Sequence, residues 1–187
     1  MQGHSKISYS DRIALQSDQV ALCRLIPDDA QLLVDWFNDD EIRRILARSS
    51  AVTIDQERSY LESFYQPGGP FAYGILPLQE QTPIGFIGLH EVRSDRRAAV
   101  FGIFIKSQGW RRRGLGLGAS KLLLAYGFQE LNLHRIVAIT RHDNLPFQSL
   151  APKLGFKREG RLRDFYFFDD EFIDADQFSL IAGEERV

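Results

Sequence analysis

The residues with the clearest chemical potential lie in the segment 106–121, which has the sequence Lys-Ser-Gln-Gly-Trp-Arg-Arg-Arg-Gly-Leu-Gly-Leu-Gly-Ala-Ser-Lys. Four cations precede a glycine-spaced turn that starts at Gly114, and an apolar pattern of helical period follows the turn. A helix N-terminus offers unpaired N–H groups and the positive end of a dipole, which favour an anion. Glycine also lets the main chain approach a ligand closely. The segment therefore predicts a phosphate-binding turn.

The sequence around this turn excludes two nucleotide-binding motifs that also use glycine-rich turns. Residues 114–119 match the pattern G-x-G-x-x-G/A formally, but a dinucleotide fold needs a large parallel βαβ unit around it. The 68 residues that follow Ala119 hold one short apolar strand, one short helix and a strand pair, which is too little for that unit. No Gly-x4-Gly-Lys-Ser/Thr segment occurs, which excludes a P-loop.

Composition limits the classes of partner. The 187 residues carry a net charge of −2, so bulk attraction to nucleic acid or to an anionic membrane is not expected. The single cysteine, Cys23, excludes an internal disulfide framework and a cysteine-based zinc site, and no metal is expected. The sequence has no apolar run of membrane-spanning length and no signal-peptide pattern, so we expect a cytoplasmic protein.

Hydrophobic periodicity predicts one mixed α/β domain over residues 12–183, between a flexible segment 1–11 and a tail 184–187. Predicted strands cover 13–16, 19–26, 71–78, 83–92, 98–105, 135–140, 156–168 and 172–181. Predicted helices begin at 27, 41, 53, 115 and 145.

The order of these features resembles a known family. Arg111-x-x-Gly114-x-Gly116 is similar to the acyl-CoA pyrophosphate motif of the GNAT superfamily of N-acyltransferases. As in that family, a strand precedes the motif and a helix follows it, with Asn144 and the segments 153–156 and 170–174 further along the chain. This series is similar to the branch that holds ribosomal-protein N-terminal acetyltransferases and polyamine N-acetyltransferases. The resemblance covers about residues 20–182.

The resemblance implies a GNAT-like fold, with a mixed, mostly antiparallel sheet of about seven strands and helices on both faces, in the order β-α-α-β-β-β-α-β-α-β-β. It also implies acetyl-CoA as co-substrate and a set of residues that bind it. Main-chain N–H groups from about 110 to 116 would face the pyrophosphate, and the three arginines would add charge. Because successive side chains diverge, Arg111 and Arg113 are favoured over Arg112. Asn144 would contact the end of the pantetheine arm or cap the next helix. The implied set is Ile103, Phe104 and Ile105, which would pair with the pantetheine arm, together with Arg111, Arg112, Arg113, Gly114, Leu115, Gly116 and Asn144.

The family's chemistry is direct transfer, in which a neutral amine attacks the thioester and a tetrahedral oxyanion forms. An N–H group near Ile103 or Phe104 would donate to that oxyanion. This chain lacks the side chains that act as base and acid in many relatives, because Val100 stands where they carry Glu and Ala151 where they carry Tyr. Phe147 likewise replaces a serine of the ribosomal-protein branch.

The remaining candidates for a general base are His90 and Glu91, near the end of the preceding strand. Neighbouring residues of a strand point to opposite faces, so only one of the two can face the cleft. His90 has the better ordinary pKa for a base, and Glu91 could act through a water molecule. Both also fit an ordinary polar strand end.

The sequence leaves open which amine is the acceptor, and whether the protein is catalytically active. At pH 7, neutralising an α-amine costs about 1.4 kcal/mol and neutralising a lysine-like amine about 4.6 kcal/mol. A peptide or protein N-terminus is therefore favoured over a polyamine or an amino-sugar. A CoA-binding sensor or scaffold without catalysis is the alternative. Tyr166 and Phe168 alternate with Phe165 and Phe167, and one of their faces is expected to line an acceptor pocket or a homodimer contact.

Overall fold

The protein folds around one mixed sheet of eight strands, ordered β1-β2-β3-β4-β5-β6-β8-β7. The computed structural model describes residues 7–66, 69–106 and 108–184, so parts of the predicted flexible segment 1–11 and of the tail 184–187 lie outside it. All described strand pairs are antiparallel except β5 with β6. The strands are β1 (Ile13–Gln16), β2 (Val20–Arg24), β3 (Phe71–Pro77), β4 (Gly85–Arg93), β5 (Ala98–Ile105), β6 (Arg135–Arg141), β7 (Lys157–Phe168) and β8 (Glu171–Ile181).

Helices cover both faces of the sheet, as the sequence predicts. The helices are α1 (Ala30–Phe37), α2 (Asp40–Leu46), α3 (Ile54–Ser63), α4 (Leu115–Gln129) and α5 (Leu145–Leu154). From β3 onwards the predicted order is confirmed. Before β3 the structure has the β1–β2 hairpin and the three helices predicted from the sequence pattern, so the sheet has eight strands where the family-like order had about seven. Among the described residues, no helix is long and apolar enough to span a membrane.

Alternation along the strands divides the core into two layers. On β4, Ile87 packs with α4 and α5 in one buried cluster, while Phe86 packs with α1, α2 and α3 in another. On β5, Phe101 and Phe104 divide in the same way between the two clusters. Because successive side chains of a strand point to opposite faces, both faces of the central strands are buried. Each face packs against its own layer of helices.

The two parallel strands separate soon after they meet. β5 pairs with β6 only where Ala98, Ala99 and Val100 face Arg135, Ile136 and Val137. Helix α4 connects them, as a parallel pair requires. The gap therefore opens towards the carboxyl ends of β5 and β6, and α4 begins at that end.

A buried ion pair fixes the entry into α1. The carboxylate of Asp29 lies 2.5 Å from the guanidinium of Arg12, and both side chains are almost fully buried. Asp29 also accepts hydrogen bonds from the Tyr9 hydroxyl at 2.9 Å and from the Ile26 N–H at 2.9 Å. Burial, with Asp29 as the second cause, raises the pKa of Tyr9. These contacts join the segment before β1 to the turn Pro27–Asp29.

We expect Asp29→Ala to lower the free energy of unfolding by about 3–5 kcal/mol, because it leaves the Arg12 charge buried without a partner. Urea unfolding measures the change. Asp28→Ala, at the exposed neighbouring position, is the matched control and should shift the stability by less than about 0.5 kcal/mol. Equal effects of the two substitutions would contradict a stabilising role for the ion pair.

Candidate functional site

The glycine-spaced turn forms an open helix N-terminus. Gly114 is the N-cap of α4, with a left-handed φ of 81° and no side chain to accept from the first helical N–H groups. The N–H of Gly118 donates to the carbonyl of Gly114 at 2.9 Å, so the amides of residues 115–117 precede the first turn of helical bonds. A Cβ at Gly114 would meet no heavy atom of the described residues within 4 Å. The turn can therefore receive an anion.

The four cations of the turn divide into two pairs. Lys106 forms an ion pair with Asp39 at the start of α2, and Arg111 forms one with Glu41. Hydrogen bonds from these cations hold the pKa of each carboxyl below its ordinary value. Arg111 also donates to the Ile105 carbonyl at 2.9 Å. Its side chain, one of the two favoured from the sequence, therefore joins the turn to α2 and β5.

The other two arginines of the turn are exposed. The guanidinium of Arg113 lies 4.7 Å from the centroid of the Trp110 ring. Arg112 adopts a left-handed φ of 62°. Arg112 and Arg113 are thus the cations that remain accessible beside the N-terminus of α4.

Gly118, in the first turn of α4, and Asn144 have structural roles. A Cβ at Gly118 would lie 3.2 Å from Val20 Cγ1, so close helix–strand packing explains this glycine. Asn144 caps α5, since its side chain accepts from the Phe147 N–H at 3.2 Å. It also donates to Thr140 Oγ1 at 2.7 Å. The capping role considered for Asn144 is confirmed.

The gap between β5 and β6 exposes main-chain groups of β5. The Lys106 N–H donates to the Ile84 carbonyl at 2.9 Å, and hydrogen-bonded pairs alternate along an antiparallel ladder. With the register of β4 and β5, this places the N–H of Phe104 towards β4 and that of Ile103 towards the gap. Of the two predicted oxyanion donors, Ile103 is therefore the one with an N–H that faces the gap.

An open cavity of about 790 Å³ reaches the same gap from the face that carries α1, α2 and α3. Such a volume can hold a small molecule or the end of a peptide. Residues 100–104 of β5 and Ile139 of β6 line its inner end. The outer wall is formed by Phe37, residues 46–52, Gln56, Glu57 and Tyr60.

Hydrogen bonds from two polar side chains hold the rim segment 47–52 in place. The side chain of Asn38 accepts from the Val52 N–H at 2.8 Å and donates to the Val52 carbonyl at 2.9 Å. Arg43 donates to the Ser49 carbonyl at 2.6 Å. These side chains from α2 and the end of α1 therefore shape the cavity without lining it themselves.

His90 lines the cavity and lies beside the position where relatives carry an acid. It is paired across the strands with Val100, and directly opposed side chains share one face of a sheet. Its ring stacks on Phe86 at 6.0 Å, and its Nδ1 lies 3.3 Å from the Tyr60 hydroxyl. Burial lowers the pKa of His90, and the charge of Glu91 opposes this shift.

Two glycines make room for the His90 ring. Gly88 and Gly102 face each other across β4 and β5. A Cβ at Gly88 would lie 2.7 Å from His90 Nε2, and a Cβ at Gly102 would lie 3.8 Å from it. The imidazole therefore lies over a stretch of sheet that has no side chains of its own.

Glu91 has a different environment from its neighbour. It has a left-handed φ of 48° at an irregularity in the β4–β5 register between His90 and Arg93. Its side chain is exposed and does not line the cavity. The structure thus brings His90, but not Glu91, together with the gap.

Sequence reasoning missed Glu57 and Tyr60 on α3. Both line the cavity, and Glu57 is 4% exposed. The available signal was that Glu57 lies four residues before the buried Leu61, which puts a carboxyl on the apolar stripe of an amphipathic helix.

The aromatic strand β7 divides as its alternation predicts. Phe165 and Phe167 are exposed, whereas Tyr166 is partly buried. The Tyr166 hydroxyl donates to the Ile139 carbonyl at 3.3 Å. Because Ile139 lines the inner end of the cavity, Tyr166 contacts the β6 side of the gap.

The chain is similar in sequence to proteins that are all described as acetyltransferases. Residues 19–157 match the family model of the acetyltransferase (GNAT) domain. The chain is 29% identical over 174 residues to the uncharacterized N-acetyltransferase YoaA of Bacillus subtilis, covering 91% of this chain and 98% of the relative. It is 26% identical over 175 residues to the [ribosomal protein uS5]-alanine N-acetyltransferase of Escherichia coli, covering 87% and 88%.

A solved structure of an N-acetyltransferase has the same fold. The spermidine N-acetyltransferase from Vibrio cholerae, in complex with CoA and spermine, superposes with a TM-score of 0.81. The two sequences are 22% identical, and the match covers 90% of this chain and 98% of that one. At this identity the likeness concerns the fold.

We expect Gly114→Trp to weaken binding of coenzyme A by at least about tenfold, because the indole would fill the open space above α4. Isothermal titration with coenzyme A measures this. Gly183→Trp is the matched control, since Gly183 has a left-handed φ of 89° and a Cβ there would also meet no described heavy atom within 4 Å. Both variants carry a backbone cost of about 1–2 kcal/mol. Undiminished binding by Gly114→Trp would overturn the assignment of the turn.

Proposed function

Because the chain belongs to the GNAT acetyltransferase family, we propose that it transfers an acetyl group from acetyl-CoA to a primary amine. The observation that carries this proposal is the cavity of about 790 Å³ that meets the β5–β6 gap beside His90. The gap and the turn at Gly114 lie at the carboxyl ends of two parallel strands, where α/β proteins commonly bind ligands.

The residues present fit the acyl donor. The open turn at Gly114 suits a pyrophosphate, with Arg112 and Arg113 as the accessible cations. The gap-facing main-chain groups of Ile103 and Ile105 suit the amides of a pantetheine arm, although Arg111 already donates to the Ile105 carbonyl. When bound, acetyl-CoA would supply a thioester: a C–N bond forms, the C–S bond breaks, and overall one proton passes from the amine nitrogen to the thiolate.

His90 is the group best placed to receive the amine proton. It lines the cavity, and the residue opposite it is Val100, where many relatives carry a Glu that could act as the base. The Tyr60 hydroxyl contacts its Nδ1, and the charge of the exposed Glu91 opposes the lowering of its pKa from outside the cavity. Since burial lowers the pKa of His90, the imidazole is neutral at pH 7 and can accept a proton.

The lowered pKa of His90 also bears on the acceptor. A weakly basic imidazole suits an α-amine, with an ordinary pKa of about 7.7–8.0, better than an aliphatic amine near 10.4. We therefore favour a peptide or protein N-terminus and keep polyamines and amino-sugars in the test panel. The cytoplasmic location and the homodimer stay predictions from the sequence.

Thiol release from acetyl-CoA tests the proposed function. The panel contains short peptides with free N-termini, a diamine, a polyamine and an amino-sugar, and mass spectrometry identifies the acetylated product. Amine-dependent release with one acetyl group added to the amine is expected. Coenzyme A binding without release on any amine would support the sensor or scaffold alternative instead.

We expect His90→Gln to lower kcat by about 10²–10⁴-fold, since it removes the proposed base. In the unchanged protein, kcat/KM calculated for the concentration of neutral amine should fall as the pH drops through the lowered pKa of His90, below its ordinary value of about 6.5, because the protonated imidazole cannot accept a proton. His90→Gln should lose this acidic limb.

Glu91→Gln tests the other predicted base under the same conditions. Its side chain is exposed and lies outside the cavity, so we expect little change in the pH profile. A large loss in Glu91→Gln together with an unchanged His90→Gln would move the role of base to Glu91.

A further inference from the structure

The cavity contains a buried carboxylate whose partner is missing from the protein. Glu57 is 4% exposed, and its Oε2 is buried without a hydrogen-bond partner in the described chain. It is the one acidic side chain among the described residues that line the cavity. A buried polar atom without a partner is rare in folded proteins and calls for an explanation.

Nearby protein groups do not satisfy this carboxylate. Arg48 also lines the cavity, and its charge opposes the rise that burial causes in the pKa of Glu57. Its guanidinium lies 4.9 Å from the centroid of the Phe37 ring, however, and no ion pair with Glu57 occurs within the described parts of the chain. The desolvation of Glu57 is therefore only partly offset.

Glu57 is also separate from the proposed reacting centre. Tyr60, one turn further along α3, places its hydroxyl against His90 Nδ1 at 3.3 Å. No hydrogen bond joins Glu57 to Tyr60 or His90 in the described structure. A proton relay from His90 to Glu57 is thus not formed, and binding is the role that the geometry leaves for Glu57.

A cationic group would supply what the carboxylate lacks. An ammonium or guanidinium donates charge-assisted hydrogen bonds to a carboxylate, and these are stronger than neutral ones in a partly desolvated site. The Tyr60 ring, which lines the same wall, can add a favourable cation–π contact, whereas the Phe37 ring already carries the Arg48 guanidinium.

We propose that Glu57 binds a second cationic group of the acceptor, an ammonium or a guanidinium, away from the amine that reacts beside His90. This inference rests on the proposed function and narrows its substrate class to amines that carry another positive charge. The second charge can belong to a diamine or polyamine, or to a basic side chain next to a peptide N-terminus. Glu57 is then a specificity residue for the acceptor.

Paired acceptors that differ in the second charge test the proposal. One pair is 1,4-diaminobutane against n-butylamine, and the other is the peptide Ala-Arg-Ala-Ala against Ala-Met-Ala-Ala. KM and kcat are measured at saturating acetyl-CoA for the unchanged protein, Glu57→Gln and Glu62→Gln. Glu62, on the exposed part of α3, is the matched control. The pair with the larger difference identifies the source of the second charge.

In the unchanged protein, the dicationic member of at least one pair should have the lower KM. Glu57→Gln should raise that KM by about tenfold to a hundredfold, with kcat changed less than about threefold. The monocationic member and the Glu62→Gln variant should change little. Equal effects on both members of each pair, or a loss confined to kcat, would overturn the proposal.

The outcomes also separate this inference from the proposed function. Turnover of both members of each pair with equal KM in the unchanged protein would reject the Glu57 site and leave acetyl transfer intact. Calorimetric binding of 1,4-diaminobutane or Ala-Arg-Ala-Ala to the CoA-loaded protein, lost in Glu57→Gln and without any turnover, would support the site and reject the transfer. Neither binding nor turnover of the dicationic probes would reject the Glu57 site as well. The comparison within the unchanged protein holds even if Glu57→Gln does not fold.

Discussion

The separation of β5 from β6 after three paired residues is the constraint on which the rest of the site depends. Over residues 98–100, β5 pairs with β4 on one side and with β6 on the other, so its buried main-chain groups have partners there. Beyond Val100 the gap side of β5 loses its partner strand. Because parallel neighbours need a crossover, α4 must start at the carboxyl end of β5 and present its N-terminus there. One topological feature thus produces both the gap and the anion-binding turn.

The same constraint explains why the open gap and the cavity meet at His90. Val100 is the last residue of β5 that pairs with β6, and His90 faces it from β4. The imidazole therefore lies where the gap begins. It can lie there because Gly88 and Gly102 leave the sheet surface free of side chains. At the backbone irregularity that follows His90, Glu91 is exposed, so of these two residues only His90 faces the gap.

Features set by local pattern could be predicted, and features set by distant contacts could not. The elements from β3 onwards and the glycine turn follow from periodicity and from the conformations open to glycine. The partner of Arg111 is Glu41, 70 positions away, so the sequence could not show that this arginine is engaged. Strand alternation indicated that one of His90 and Glu91 faces the cleft, but not which one. Glu57 was not predicted, because a glutamate in a helical sequence indicates a surface position, and its burial depends on how the helix packs against the sheet.

The ion pairs of α2 determine how charge is distributed between the two sides of the gap. Asp39 and Glu41 neutralise Lys106 and Arg111, so Arg112 and Arg113 remain as the exposed cations of the turn. On the cavity side, Glu57 keeps a carboxylate without a partner in the described chain. Arg48 lines the same cavity, so among the described residues the cavity side has no excess of one charge comparable to that of the turn. In the proposed reaction the exposed cations of the turn would attract the anionic donor, Glu57 would act on the acceptor only at close range, and the two reactants would meet where β5 and β6 separate.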